Sequence, residues 1–297
     1  MWKKQYADAS EWIAVCERNF QERLFALADR LLAIEHLKII RLCGPTCSGK
    51  TTLANLLKQR FAEQGKHLHL ISIDDFFYDK DVLHARAKDD ASGRLDYDSV
   101  KTIDLEALAQ FTKEIFEKDV ADCPIFDFKE GKRTGVRHIK SREKDVFLFE
   151  GIQVLYPEVS ALLHQYGDSQ GVYISPQSEL RVGDTVWEPN ELRLLRRLVR
   201  DHHFRGTDAE KTFFLWEGVR SNEEAHIFPY VGDCAHRIDS TMPYELGILK
   251  PFLCEILPSV EESTYRSHAD EILKKLEIVE PLSASLIPEN SLYREFV

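Results

Sequence analysis

The chain has 297 residues, a hydrophobic fraction of 43% and a formal net charge of −11, enough to bury one large or two small cores. That acidity argues against a surface that wraps nucleic acid or an anionic membrane. Six scattered cysteines with no C-x-x-C pair suit free thiols better than a disulfide framework or a zinc site, and neither a signal peptide nor an 18-residue apolar run is legible, so we expect a cytoplasmic protein.

Residues 1–36 form an N-terminal extension in which Phe20, Leu24, Leu27, Leu31 and Ile34 recur at the spacing of one helical face. The apolar run Leu37–Cys43 reads as a buried strand. It leads into Gly44-Pro45-Thr46-Cys47-Ser48-Gly49-Lys50-Thr51-Thr52, which fits the phosphate-loop pattern G-x-x-x-x-G-K-[ST] at every fixed position. The glycines admit backbone that a Cβ would block, so the loop's N–H groups can form a concave anion site. Lys50 supplies charge for the β- and γ-phosphates, the Thr51 hydroxyl can hold Mg²⁺, and the next helix adds its N-terminal dipole. That helix shows Leu53, Leu56, Leu57 and Phe61 on one face and stops at Gly65. The motif and its context imply a bound nucleoside triphosphate.

Leu68–Ile73 reads as a second strand ending in Asp74 and Asp75, carboxylates delivered to the ligand crevice of an open sheet. Residues 79–102 are polar and aperiodic, a length of connection that is usually functional. Ile103–Phe116 reads as a helix, Pro124–Phe128 as a short strand and Gly131–Gly135 as a turn. The run Val146–Phe149 ends abruptly in Glu150, the position of a Walker-B acid. Further on, Arg193, Arg196, Arg197 and Arg200 line one face of a helix, with Arg205-Gly206 as a hinge. Four like charges on one stripe call for an anion. We expect a lid, about 184–206, that closes on transferring phosphates. A helix through Trp216, strands near Ile238 and Leu246–Leu249, and a helix within Val260–Leu276 complete the reading. The fold class is α/β, a mainly parallel sheet flanked by helices, with a phosphate-loop domain over 37–257 and a C-terminal helix and tail over 258–297.

This ordered set resembles the uridine kinase / phosphoribulokinase family of P-loop kinases. The likeness runs from about 37 to 250 through the loop, Ser72–Tyr78, Asp96-Tyr97-Asp98, Pro124–Phe128, Phe149-Glu150-Gly151 and Arg193–Gly206. The tail Ser291–Phe296 resembles a longer bacterial uridine-kinase-like branch. The resemblance implies ATP- and Mg²⁺-dependent transfer of the γ-phosphoryl group to a small-molecule hydroxyl. It makes Asp75 the general base in preference to Asp74, with Lys50 and Arg197 as its catalytic companions. Thr51, Glu150 and Asp75 resemble the metal shell, and Arg196 and Arg200 join the loop in holding ATP. On the acceptor side it places Asp98, Tyr97, Phe126, Phe128, Arg193 and Arg205, with Asp98 on the sugar hydroxyls of a nucleoside. Members often form homo-oligomers, though no stretch here identifies an interface.

One departure bears on the acceptor. Where uridine–cytidine kinases carry a Tyr and a His against the pyrimidine, this chain has Phe126 and Gly131, neither of which can hydrogen-bond through a side chain. Uridine or cytidine leads as acceptor. A phosphorylated sugar, a pantothenate-like molecule or a regulatory ATPase without acceptor stays open.

Overall fold

The computed structural model describes residues 6–88 and 99–297. In chain order its strands and helices are α1 (Ala9–Leu32), β1 (Leu37–Cys43), α2 (Lys50–Glu63), β2 (Leu68–Ser72), α3 (Lys80–Lys88), α4 (Leu105–Glu117), β3 (Val120–Asp127), β4 (Lys132–Lys140) and β5 (Val146–Glu150). They continue with α5 (Pro157–His164), β6 (Asp168–Ser175), β7 (Leu180–Val182), β8 (Thr185–Trp187), α6 (Pro189–Arg205), α7 (Ala209–His226), β9 (His236–Asp239), α8 (Glu245–Ile256) and α9 (Ser263–Leu276). None of the described helices is long and apolar enough to cross a membrane.

A five-stranded parallel sheet in the order β2-β5-β1-β6-β9 forms the centre. Strands β1 and β5 are apolar almost throughout because helices cover both faces, so neither strand needs a polar side. Glu150 pairs with Leu42 on one side and Ser72 on the other. The three strands therefore end level, and the loops that follow them open into one crevice.

Helix α1 is capped by the Asp8 side chain, which accepts from Glu11 N. Its Phe20, Leu24, Leu27 and Leu31 join Leu53, Leu57 and Phe61 of α2 in one core, together with Leu292, Tyr293 and Phe296 from far along the chain. A second core around Phe76, Phe111, Phe147 and Phe149 lies under α4 and α5. A third binds α6, α7, α8 and α9 through Leu195, Leu198, Phe213, Trp216 and Leu253.

Two expectations need correction. Leu246–Leu249 belongs to α8 and not to a strand, because Leu246, Leu249, Leu253 and Ile256 mark a buried helical face that a four-residue apolar run cannot reveal. The segment read as one short strand and a turn is a hairpin, β3–β4, whose partner strand is mostly exposed and so lacks apolar alternation. Its connection turns at Gly131, where φ is +67°.

Candidate active site

The phosphate loop is tightly specified. A Cβ on Gly44 would run into the Ile174 carbonyl, and Gly49 caps α2 with φ at +93°. Cys47 takes a left-handed conformation with φ at 58°. Lys50 Nζ is folded back on its own loop, donating to the carbonyls of Gly44 at 2.7 Å and Pro45 at 3.1 Å. The Ser48 hydroxyl is buried without a hydrogen-bond partner, and Thr51 stands exposed at the start of α2. The N–H and hydroxyl of Thr52 both donate to the Glu295 carboxylate, the former at 2.9 Å.

Beside the loop, burial raises the Glu150 carboxyl above the ordinary glutamate range. Lys50 opposes this, while Glu295 and Asp75 add to it. Burial likewise raises Asp75, against the Phe126 N–H and Arg137. Among the described residues no group of three or more His, Cys, Asp or Glu could hold a metal unaided. A magnesium ion carried with phosphates needs only one or two protein ligands, and a desolvated Glu150 with the Thr51 hydroxyl fits that need.

A cleft of about 460 Å³ opens next to this edge, walled by Phe77, Phe126 and Phe128, with Asp74, Lys80 and Gln153 as its polar groups. The three rings meet edge to face, their centroids 5.2 to 6.1 Å apart. Gln153 is 1% exposed and its Oε1 has no donor. The stem of Lys80 packs where a Gly131 side chain would stand. Of the two adjacent carboxylates it is Asp74 that lines the cleft. Asp75 turns to the hairpin, accepting from Phe126 N at 3.2 Å and facing Arg137 at 3.8 Å. The sequence favours Asp75 over Asp74 as general base; in the fold it is Asp74 that lies on the cleft wall. A smaller cavity of about 170 Å³, lined by Thr46, Arg197 and Glu223, adjoins the loop, and Ile152 lines both spaces.

The arginine stripe does not stand free. Arg193 is buried in a two-pronged pair with Glu223, at 2.6 and 2.5 Å. Arg196 is fully buried, paired with Glu245 at 2.8 and 3.1 Å, and also donates to Cys47 O, to Ser240 and to the Tyr293 hydroxyl. The expectations that Arg193 touches acceptor and Arg196 touches ATP are therefore corrected: distant carboxylates satisfy both, and Arg196 instead braces the loop from behind. Arg197, Arg200 and Arg205 converge on Asp201, at 3.1, 2.7 and 3.5 Å. Arg200 Nη1 reaches Thr46 Oγ1 at 3.4 Å.

Phe126 and Phe128 thus line the cleft, whereas Asp98 and Tyr97 lie outside the described residues. Glu295, Lys80 and Gln153 escaped the sequence reading. Glu295 is 243 residues from Thr52, so no spacing could announce it.

A model of the phosphoribulokinase / uridine kinase family matches residues 39–243. The uridine kinase of Clostridium novyi (strain NT) is 26% identical over 181 residues, 61% of this chain and 76% of that protein. Among solved structures, the YGR205w protein superposes with a TM-score of 0.52 at 17% identity, over 72% of this chain and 89% of that one. A Silicibacter protein provisionally described as a fructose transport system kinase gives 0.50 at 20% identity, over 68% and 94%. The family match runs through the loop, the crevice acids, the hairpin and α6, and the two structural likenesses agree with the parallel sheet. The chain belongs to the phosphoribulokinase / uridine kinase family of P-loop kinases.

Proposed function

We propose that the protein transfers the γ-phosphoryl group of ATP, held with Mg²⁺, to the 5′-hydroxyl of a nucleoside of the uridine or cytidine class in the cytoplasm. The observation that carries this reading is the meeting, at Ile152, of an aromatic-walled cleft bearing the Asp74 carboxylate with a cavity beside the phosphate loop. A flat base suits the faces and edges of Phe77, Phe126 and Phe128. Asp74 takes the acceptor's hydroxyl proton, and the unpartnered Gln153 Oε1 takes a donor from the acceptor, as a buried polar atom requires.

Lys50 can exchange the Gly44 and Pro45 carbonyls for phosphate oxygens, and Arg197 and Arg200 face the loop from α6. Bound magnesium would neutralise phosphate charge, with Thr51 and Glu150 to hold it. Transfer then depends mainly on alignment and charge neutralisation.

The test is ADP release with ATP and Mg²⁺ against uridine, cytidine, purine nucleosides, ribulose 5-phosphate, pantothenate and no acceptor. Uridine or cytidine should give the strongest response. Asp74→Asn should lower kcat by about 10²- to 10⁴-fold with ATP affinity unchanged. If Asp75→Asn has that effect and Asp74→Asn does not, the base is Asp75. A second reading rests on Lys80, a cation in a cleft whose Gly131 offers no side chain: it favours an anionic acceptor such as a phosphorylated sugar, and ribulose 5-phosphate reports it. ADP release indifferent to every acceptor would mark a regulatory ATPase.

A further inference from the structure

The phosphate loop is held by its own chain. The segment 291–297 lies across it, touching it directly at two points and through Arg196 at a third. Leu292 packs on Gly49 so closely that a Cβ there could not be accommodated. The Tyr293 hydroxyl receives Arg196 Nη2 at 2.6 Å, and the same guanidinium donates to the Cys47 carbonyl at 3.2 Å. Glu295 Oε1 accepts both the N–H and the hydroxyl of Thr52.

The last contact is chemically telling. Thr52 is in the first turn of α2, where backbone donors have no partner within the helix and the dipole favours an anion. In a phosphate loop such donors serve the α- and β-phosphates. Here a carboxylate does what a phosphate oxygen would do. It also lies close enough to Glu150 to raise that carboxyl and close enough to Arg200 to favour its charged form. A carboxylate and a polyphosphate cannot both take the Thr52 N–H, and side by side they repel.

We propose that residues 291–297 form a built-in strap in which Glu295 occupies a phosphate position on α2 until a nucleotide displaces it. The inference rests on the nucleotide-binding reading of the loop, and it adds a gate to that site. Burial is divided so that the gate can work. Leu292, Tyr293 and Phe296 are within 1% of full burial, and Tyr293 and Phe296 both pack on the Arg196 guanidinium. Glu295 between them is only partly buried. The side chain can therefore leave Thr52 and loosen the short turn Leu292–Glu295, while Leu292, Tyr293 and Phe296 keep the segment from detaching. Resting affinity for nucleotide is lowered by the fraction of time Glu295 is seated, and anything that draws the carboxylate away raises it.

The experiment is calorimetric titration of the full chain with ATP, ADP and adenosine, for wild type and Glu295→Gln. Glutamine keeps the size and an acceptor oxygen but removes the charge that competes with phosphate. The expected result is about fivefold tighter ATP and ADP binding in the variant, with adenosine unchanged. Hydrogen exchange supplies a second readout without any substitution: saturating ADP should increase exchange at 294–296 in the wild type. Equal or weaker ATP binding by Glu295→Gln, an equal gain for adenosine, or slower exchange at 294–296 would each overturn the strap. If wild type and variant bind ATP equally, the strap fails while the loop remains a nucleotide site. If neither binds ATP, both readings fall.

Discussion

The two halves of α6 carry the same residue at helical spacing and use it in opposite ways. Arg193 and Arg196, toward its N-terminal end, are 1% and 0% exposed, each in a two-pronged pair with a carboxylate brought from α7 or α8; Arg220 shares Glu223 with Arg193 and has Glu224 as its second acid. Among the described residues Arg197, Arg200 and Arg205 share one ion-pair partner, Asp201, and the first two reach the loop and its cavity. In the first half charge is balanced once Arg220 is counted, with Glu223, Glu224 and Glu245 against three arginines, so Arg193 and Arg196 act as struts. In the second, three positive charges meet one negative charge, and an anion is still wanted. The stripe is real, but the ratio of partners decides what each arginine does. A guanidinium with matched, buried partners is spoken for.

That contrast can be broken most forcefully at Arg196. Replacing it by Ala leaves Glu245 buried and unpaired and takes a donor from Cys47 O, Ser240 and Tyr293. The expected loss is about 3–5 kcal/mol of unfolding free energy, read by chemical denaturation. A loss under about 1 kcal/mol would move Arg196 out of the structural group. Arg200→Ala should do the reverse, lowering kcat by about 10²- to 10³-fold while the denaturation midpoint hardly moves. A folded Arg200→Ala variant with normal kcat would show that the second half is structural too.

Much of this was legible, for reasons that are local. The loop carries its pattern within nine residues, and β1, β2 and β5 are apolar runs that end where the crevice opens. What was not legible is set by distance along the chain. The partners of Arg193, Arg196 and Thr52 lie 30, 49 and 243 residues away, and no period links them. A one-residue ambiguity was equally opaque. Asp74 and Asp75 share the turn Ile73–Phe76, and only the fold turns one to the cleft and the other to the hairpin. The run Leu246–Leu249 failed for a third reason, since four apolar residues satisfy a strand and a helix alike.

The finest test of the partner-ratio argument is Asp201, which is 3% exposed in its ion pairs with Arg197, Arg200 and Arg205. Arg205 feels the crowding: burial lowers it below its usual value and Arg200 and Arg197 add to this, with Asp201 opposing. Asp201→Asn keeps the shape and an acceptor oxygen but removes the one negative charge. Without nucleotide the variant should be less stable, because three cations then lose the carboxylate they share. With nucleotide the phosphates can supply the missing charge. ATP should bind about threefold to tenfold more tightly than to the wild type, and at a fixed concentration it should raise the melting temperature further. A smaller rise in the variant would mean that Asp201 aligns these arginines for the phosphates and does not compete with them. The second half of α6 would then be preorganised by its acid, as the first half is, and the partner ratio would no longer separate the two.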